Sequence, residues 1–447
     1  MTAIYASSYV VGDDSTDDHV ALGTAFNDWI AAARSFGGEL WLGDIIIDKP
    51  CYIGSSTITV TGPSTGQANG GRIIFTDGAY IRGSSAQLGL HITTYSGLTP
   101  YGWRWLETDG LHLENCGFKL SNANNDAAAM AQVNTRNTKI AIGLSTPPSG
   151  VDGFLIEGLF ESNFERTYVE WVGTNGGVCI HMKNGGTGLS SNVLDTAITR
   201  GGVNGILIED YDEDVTIRSP TVLFSDEEGI VCLVGSPTIE APHVESCCTN
   251  AGSGANAGIY VSTGGTIINP VGLSFAGSNS NQKYAVAVDA DNPTIVIGGS
   301  MDSDLSNTKV VNVLSSSEVV TLESGAAYSY DYNTSITIGH IDAKCKYALT
   351  ATANTTFAVP AGHRLVSISF RETNNHSVTG GVKIGTTSGA ADVVPAQTVG
   401  AHALGCFPDA AFLKGYFSAT AATTLFIQAG TSWNSAHVDF VIRTEHV

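Results

Sequence analysis

The chain has 447 residues, with 42 Asp or Glu against 21 Lys or Arg and a formal net charge of −21. So acidic a surface repels phosphate backbones and anionic headgroups, which excludes nucleic acid and membrane surfaces as expected partners, while a local basic patch would still hold an acidic polysaccharide. No run of about 18 apolar residues is present, so no membrane-spanning helix or membrane insertion is expected, and 52 glycines with 14% charged residues suit short strands and tight turns.

The start, from Met1 to Ala6, has neither a basic n-region nor an apolar h-region, so no secretory signal peptide is expected. The next segment, 13–38, carries the one clear helix. Thr16 or Asp17 is a good N-cap, Leu22, Phe26, Trp29, Ile30 and Ala33 recur at helical spacing, and Gly37-Gly38 is a stop signal. Strand-like runs follow at once, Leu40 to Leu42 and Ile45 to Ile47.

The middle of the chain repeats. Thr216-Ile217, Thr238-Ile239, Thr266-Ile267 and Thr294-Ile295 are spaced by 22, 28 and 28 residues. A second marker interleaves: Gly177-Val-Cys-Ile, Gly205-Ile-Leu-Ile, Gly229-Ile-Val-Cys and Gly258-Ile-Tyr-Val, spaced by 28, 24 and 29. Two markers sharing one period of about two dozen residues indicate a solenoid. Its repeats are β-branched runs and Gly/Asn/Ser turns without helical segments, which favours a parallel β-helix whose coils stack to bury a shared core. Alternation points Ile206 and Ile208 inward and Leu207 and Glu209 outward. Upstream, Leu155-Ile156-Glu157-Gly158, Leu194-Asp195 and Leu113-Glu114 are read as the first marker, with the wider spacings of 43 and 38 assigned to inserted loops on the binding face.

Beyond residue 322 the repeat fades and alternation such as Val438, Phe440, Ile442 indicates a small antiparallel sandwich. The expected organisation is all-β: an N-terminal segment and capping helix over 1–39, a right-handed parallel β-helix over 40–322 and a C-terminal β-sandwich over 323–447. Eight cysteines, Cys51, Cys116, Cys179, Cys232, Cys247, Cys248, Cys345 and Cys406, show no CxxC pair and no zinc-ligand spacing. They read as free, mostly buried thiols of a chain made in a reducing cytosol, and no metal or cofactor is expected.

The segment Asp13-Asp14-Ser15-Thr16-Asp17-Asp18, the helix through Ala33, Gly37-Gly38 and the strands after them resemble the entry motif of pectate-lyase-like β-helix proteins. With the solenoid and the C-terminal sandwich, the chain resembles bacteriophage tailspikes and capsular polysaccharide depolymerases. The resemblance is specific for fold and weak for chemistry, because that family shares no catalytic motif. It implies a homotrimer in the virion tail, joined to other phage tail proteins, that binds and often cleaves bacterial surface polysaccharide.

Glycoside hydrolysis needs two carboxyl groups, roughly 5–5.5 Å apart for retention and 6.5–9.5 Å for inversion. Outward positions in stacked coils supply such separations. The first marker gives the row Glu157, Asp195, Arg218, Glu240; the second places His181 above Glu209. Glu157, Asp195 and Glu209 are the leading catalytic candidates, with His181 and Glu240 behind them. Tyr168 and Trp171, near Glu161, Glu165 and Glu170, are candidate sugar platforms, and Arg200 and Arg218 candidate holders of an acidic sugar. Most carboxylates in so acidic a chain are solvated surface groups. Trp103 and Trp105 are equally core or platform, and the acidic run 210–214 is more readily a turn than a calcium loop. Two alternatives stay open: a polysaccharide lyase using His181, Lys183, Tyr168 and Arg200 for β-elimination, and a non-enzymatic receptor-binding adhesin of the same fold.

Overall fold

The computed structural model describes residues 2–36, 39–64, 67–96, 102–123, 129–143, 151–171, 177–185, 191–209, 215–250, 256–262, 265–268, 281–282, 284–288, 294–297, 311–313, 320–323, 344–359, 363–406, 417–418 and 423–446. The chain divides into two compact units, the first built mainly from Met1–Thr294 and the second mainly from Val319–Val447.

The first unit is a right-handed parallel β-helix with three long faces. One coil runs through Asn163–Glu165 on the first face, Tyr168–Trp171 on the second and Ile180–Lys183 on the third, then rises to Asn192–Asp195. Each of these strands pairs in parallel with its counterpart in the next coil. Two long strands, Ile81–Thr93 and His112–Ser121, run from the second face onto the third and join the two. The register of the latter shifts on either side of Cys116-Gly117, where the strand changes face. Gly117 is needed there, because a Cβ would run into the Asp152 carbonyl of the next coil. A short fourth sheet lies beside the early coils, with parallel strands Glu39–Trp41, Ala68–Asn69, Trp103–Arg104 and Met130–Ala131 and an antiparallel edge strand Arg34–Phe36.

The period-2 pattern explains the core. Ile206 and Ile208 are fully buried, with Leu207 and Glu209 facing outward. Ile180, Ile206, Ile230 and Ile259 stack in register, as do Ile217, Ile239 and Ile267 on the first face. Phe118 and Phe154 stack 5.0 Å apart, with Phe164 edge-on to Phe154 at 5.7 Å. The corner between the first and second faces is one residue in the left-handed region, repeated in six coils: Gly110, Asn137, Arg166, Thr196, Ser219 and Ala241. Each donates its N–H to the next coil, Arg166 to Asp195 O at 2.9 Å and Thr196 to Arg218 O at 2.9 Å among them. That bond offsets the roughly 1–2 kcal/mol that a side chain costs in this conformation.

The helix is His19–Ala31, shorter than the segment read from sequence, and it buries Leu22, Ala25, Phe26 and Trp29. Its N-cap is Asp18, not Thr16 or Asp17, and the Asp18 carboxylate accepts the N–H groups of Val11 and Gly12 instead of capping. Ala33 lies beyond its end; Arg34–Phe36 already forms a strand, and Gly37-Gly38 lie outside the described residues. Trp29 stacks on Trp103 at 5.7 Å and donates to Gly43 O at 2.9 Å, so Trp103 is core.

Three sequence assignments change. Phe154–Glu157 lies on the third face and Leu113-Glu114 on the second, so neither belongs to the first marker. The wide spacings therefore compare different faces; along the first face the coils from Glu107 to Thr266 are 22 to 30 residues long, and the one from Arg72 to Glu107 is 35. Gly177 is two residues out of step, since Ile180 and not Val178 pairs with Ile206.

The second unit is antiparallel. Lys344–Ala351, Val438–His446, His363–Glu372 and Leu404–Cys406 form one sheet, and Thr355–Val359, Thr423–Ala429, Val378–Gly385 and Val394–Val399 the other. Their inner faces share a core that includes Ile368, Phe440, Ile442, Val382, Ile384 and Leu425. Six cysteines are free and buried, Cys51, Cys116, Cys179, Cys232, Cys247 and Cys248; the side chains of Cys345 and Cys406 lie outside the described residues.

Candidate functional site

The sequence-derived candidates are spread over three faces. Asp195, Arg218 and Glu240 share an outward row on the first face, where Arg218 pairs with Glu240 at 3.3 Å. Tyr168, Glu170 and Arg200 lie on the second face; the Tyr168 hydroxyl donates to Glu170 at 2.9 Å and Arg200 pairs with the same carboxylate at 3.5 Å. Trp171 is 2% exposed. It faces the core, so its ring is not available as a sugar platform. Residues 210–214 lie outside the described residues.

The third face brings together Glu157, His181 and Glu209. Glu157, Lys183 and Glu209 form one outward row in successive coils. At the inter-strand spacing of 4.7–4.9 Å, the two glutamates are roughly 9–10 Å apart along the row. The neighbouring row holds Lys119, Leu155, His181 and Leu207. His181 is thus diagonal to Glu209, and its Nε2 lies 2.8 Å from Glu209 Oε2. Its Nδ1 lies 2.7 Å from Asp152 Oδ2, while Asp152 Oδ1 accepts the Val178 N–H at 3.0 Å, which fixes that carboxylate. Burial disfavours the imidazolium, but Asp152 and then Glu209 outweigh it and raise the His181 pKa. With both ring nitrogens facing carboxylate oxygens, the protonated form donates twice.

Glu157 has the opposite surroundings. Lys119 Nζ lies 2.6 Å from one oxygen and Lys183 Nζ 3.6 Å from the other. Burial pushes its pKa up, but Lys119 and Lys183 outweigh it and hold the group below its ordinary value, so it stays ionised. Two coils before Glu157, His91 Nε2 lies 2.7 Å from Ser121 Oγ, and burial, then Lys119, lowers the His91 pKa. The face therefore places an ionised carboxylate near a histidine whose carboxylate partners favour its protonated form, the second of them half-exposed.

Sequence reasoning missed Asp152, Lys119 and the correct phase of Glu157. One signal was present: Gly153-Phe-Leu-Ile-Glu157 matches Gly205-Ile-Leu-Ile-Glu209, and these segments are in register two coils apart. Beyond His181 the row continues through Leu207, Val231 and Tyr260. Of the outward apolar residues, Val231 is already 6% exposed within the single chain, whereas Leu207, Leu233 and Tyr260 are half-buried.

No known family model and no curated protein matches the sequence. Among solved structures, ORF18 of Geobacillus virus E2 is similar at 12% identity and a TM-score of 0.57, over 82% of this chain and 70% of that one. The tailspike of Acinetobacter baumannii phage AM24 aligns at 10% identity and a TM-score of 0.33, over 99% and 83%. A mutant tailspike of E. coli bacteriophage HK620, solved with a pentasaccharide, aligns at 10% identity and a TM-score of 0.31, over 99% and 93%. The likeness to ORF18 is one of fold. The chain is a parallel β-helix protein with a C-terminal antiparallel sandwich, the architecture its sequence resemblance implied.

Proposed function

We propose that this chain is a phage tailspike depolymerase that binds bacterial surface polysaccharide across its third face and cleaves it by glycoside hydrolysis. The observation that carries the reading is the outward row Glu157, Lys183, Glu209, with His181 held against Glu209. Two glutamates rooted roughly 9–10 Å apart along a rigid row can bring their carboxyl groups to the separation of about 6.5–9.5 Å of an inverting hydrolase, in which a water fits between base and sugar. Glu157, kept ionised by two lysines, accepts the proton of that water. The His181–Glu209 pair supplies a proton to the leaving oxygen. The glycosidic bond breaks as the water oxygen bonds to the anomeric carbon, and no other reactant is required.

Lysis is the second reading, favoured by the orientation of His181 by Asp152 beside two lysines. β-Elimination needs a base free of its proton, however, and His181 is biased toward its protonated form, so hydrolysis fits better. The test is to spot the protein on a panel of encapsulated strains and analyse the purified capsule of any cleared strain. New reducing ends without the ultraviolet absorbance of an unsaturated uronate are expected. That absorbance would make the protein a lyase, and binding without cleavage an adhesin.

A homotrimer joined to other tail proteins at the bacterial surface is the assembly proposed, supported by the apolar row Leu207, Val231, Tyr260. Light scattering at micromolar concentration checks it; a monomer mass contradicts it.

A further inference from the structure

The fourth sheet carries a constellation that the third-face chemistry does not use. Trp41, Asn69 and Arg104 are register neighbours on three adjacent strands. Asn69 is 1% exposed, yet its Oδ1 accepts no hydrogen bond, and the buried Trp41 Nε1 donates none. Orphaned buried polar groups are uncommon and call for a reason. Directly after Arg104 comes Trp105, 41% exposed and held in the left-handed region at φ +58°. That conformation is the coil corner shared with Gly70, Gln132, Glu161 and Ser191, and at Trp105 it presents an indole outward. The Arg104 guanidinium lies 5.3 Å over the Trp105 ring, and Trp41 lies 6.1 Å from it at a 41° tilt. Among the described residues Arg104 makes no ion pair, unlike Arg72, Arg82, Arg136, Arg200 and Arg218.

We infer that Trp41, Asn69, Arg104 and Trp105 form a second saccharide subsite that takes a carboxylate-bearing sugar of the polymer. The indoles cover the apolar face of the sugar ring and Arg104 pairs with the carboxylate, above the buried Asn69 carbonyl and Trp41 indole N–H. An unpaired arginine on a chain of net charge −21 selects an anionic ligand locally where the whole surface does not. The inference rests on the reading that the ligand is a surface polysaccharide, and it adds a holding point on a different sheet, with Arg104 one coil and Trp41 three coils before Glu157.

The test uses the capsular polysaccharide of a cleared strain, intact and after carbodiimide-mediated reduction of its uronates to neutral sugars. Binding is measured by calorimetry on the full chain in a Glu209→Gln background, which keeps the polymer whole. Trp105→Ala and Arg104→Gln are each expected to weaken binding of the intact polymer by about three- to tenfold, while Trp105→Tyr, which keeps a ring, retains it. Arg104→Gln should have no effect on the carboxyl-reduced polymer. Both side chains are exposed, and thermal midpoints confirm that the variants fold. If the protein cleaves capsule but both variants bind it unchanged, the subsite is wrong and the functional reading stands. Equal losses on intact and reduced polymer overturn the acidic-sugar assignment. A wild-type chain that neither binds nor cleaves any capsule of the panel overturns the subsite and the functional reading together.

Discussion

His181 bridges Asp152 and Glu209, with Nδ1 2.7 Å from one carboxylate and Nε2 2.8 Å from the other. The folded pKa of this histidine is raised, so its stabilising contribution is fully present below the unfolded value of about 6.5 and is lost as pH rises through the folded value. His181→Ala is expected to lower unfolding free energy by about 1–3 kcal/mol near pH 6. The deficit should shrink above the folded pKa. Denaturant unfolding at the two pH values checks this, together with an NMR titration of His181, whose midpoint should exceed that of unfolded histidine.

The same geometry separates the candidate acids by function. Glu157→Gln and Glu209→Gln are each expected to slow depolymerisation by about 10²–10⁴-fold. Asp195→Asn, on the first face, keeps the wild-type rate. The two flanking lysines hold Glu157 ionised below the usual carboxylate range, so activity persists into mild acid and falls on the alkaline side as His181 loses its proton. Reducing-end release across pH measures both limbs; an unimpaired Glu157→Gln variant would sink the assignment.

How far the sequence was legible follows from what each signal encodes. Alternation at Ile206 to Glu209 reports which way a side chain points, and the repeat reports that coils stack; together they gave the β-helix. Neither reports which face a segment occupies when coil length varies. Leu155-Ile156-Glu157-Gly158 shares only Ile-Glu with Thr238-Ile239-Glu240-Ala241 of the first marker, whereas the glycine before Phe154 aligns it with the coil of Glu209. Asp152 and Lys119 meet His181 and Glu157 only through that register. Trp171 differs: it alternates in phase with Val169, so the same period-2 rule that turned Ile206 and Ile208 inward places its ring in the core.

That burial makes a prediction of its own. If Trp171 were a sugar platform, its loss would weaken binding and leave stability unchanged. Because the ring is 2% exposed, Trp171→Ala is expected to cost about 3–5 kcal/mol of stability through the cavity it leaves. Thermal or denaturant unfolding of the purified variant reads the difference directly; an unchanged transition with weakened capsule binding would return Trp171 to the surface.

The second unit contains an acid-sensitive carboxylate unrelated to the third face. Glu372 is 2% exposed, and its two oxygens accept the backbone N–H groups of Asn374, Asn375, His376 and His402, at 2.8, 3.1, 3.0 and 2.6 Å. Burial pushes its pKa up, but the four donors outweigh it and bring it down to about 2. A depressed folded pKa means that the contribution to stability is present above the unfolded value of about 4.3 and is lost as pH falls toward 2. These bonds join the 373–376 turn to the loop at 402, so protonating Glu372 releases both together. Glu372→Gln keeps the shape but presents one acceptor oxygen and an NH₂ group where four donors converge. At pH 6 the variant should show much faster amide exchange at Asn374, Asn375, His376 and His402, with the β-helix amides unaffected, and wild type should reach that state only in strong acid. Equal protection of these four amides in variant and wild type at pH 6 would show that the carboxylate does not hold the turn.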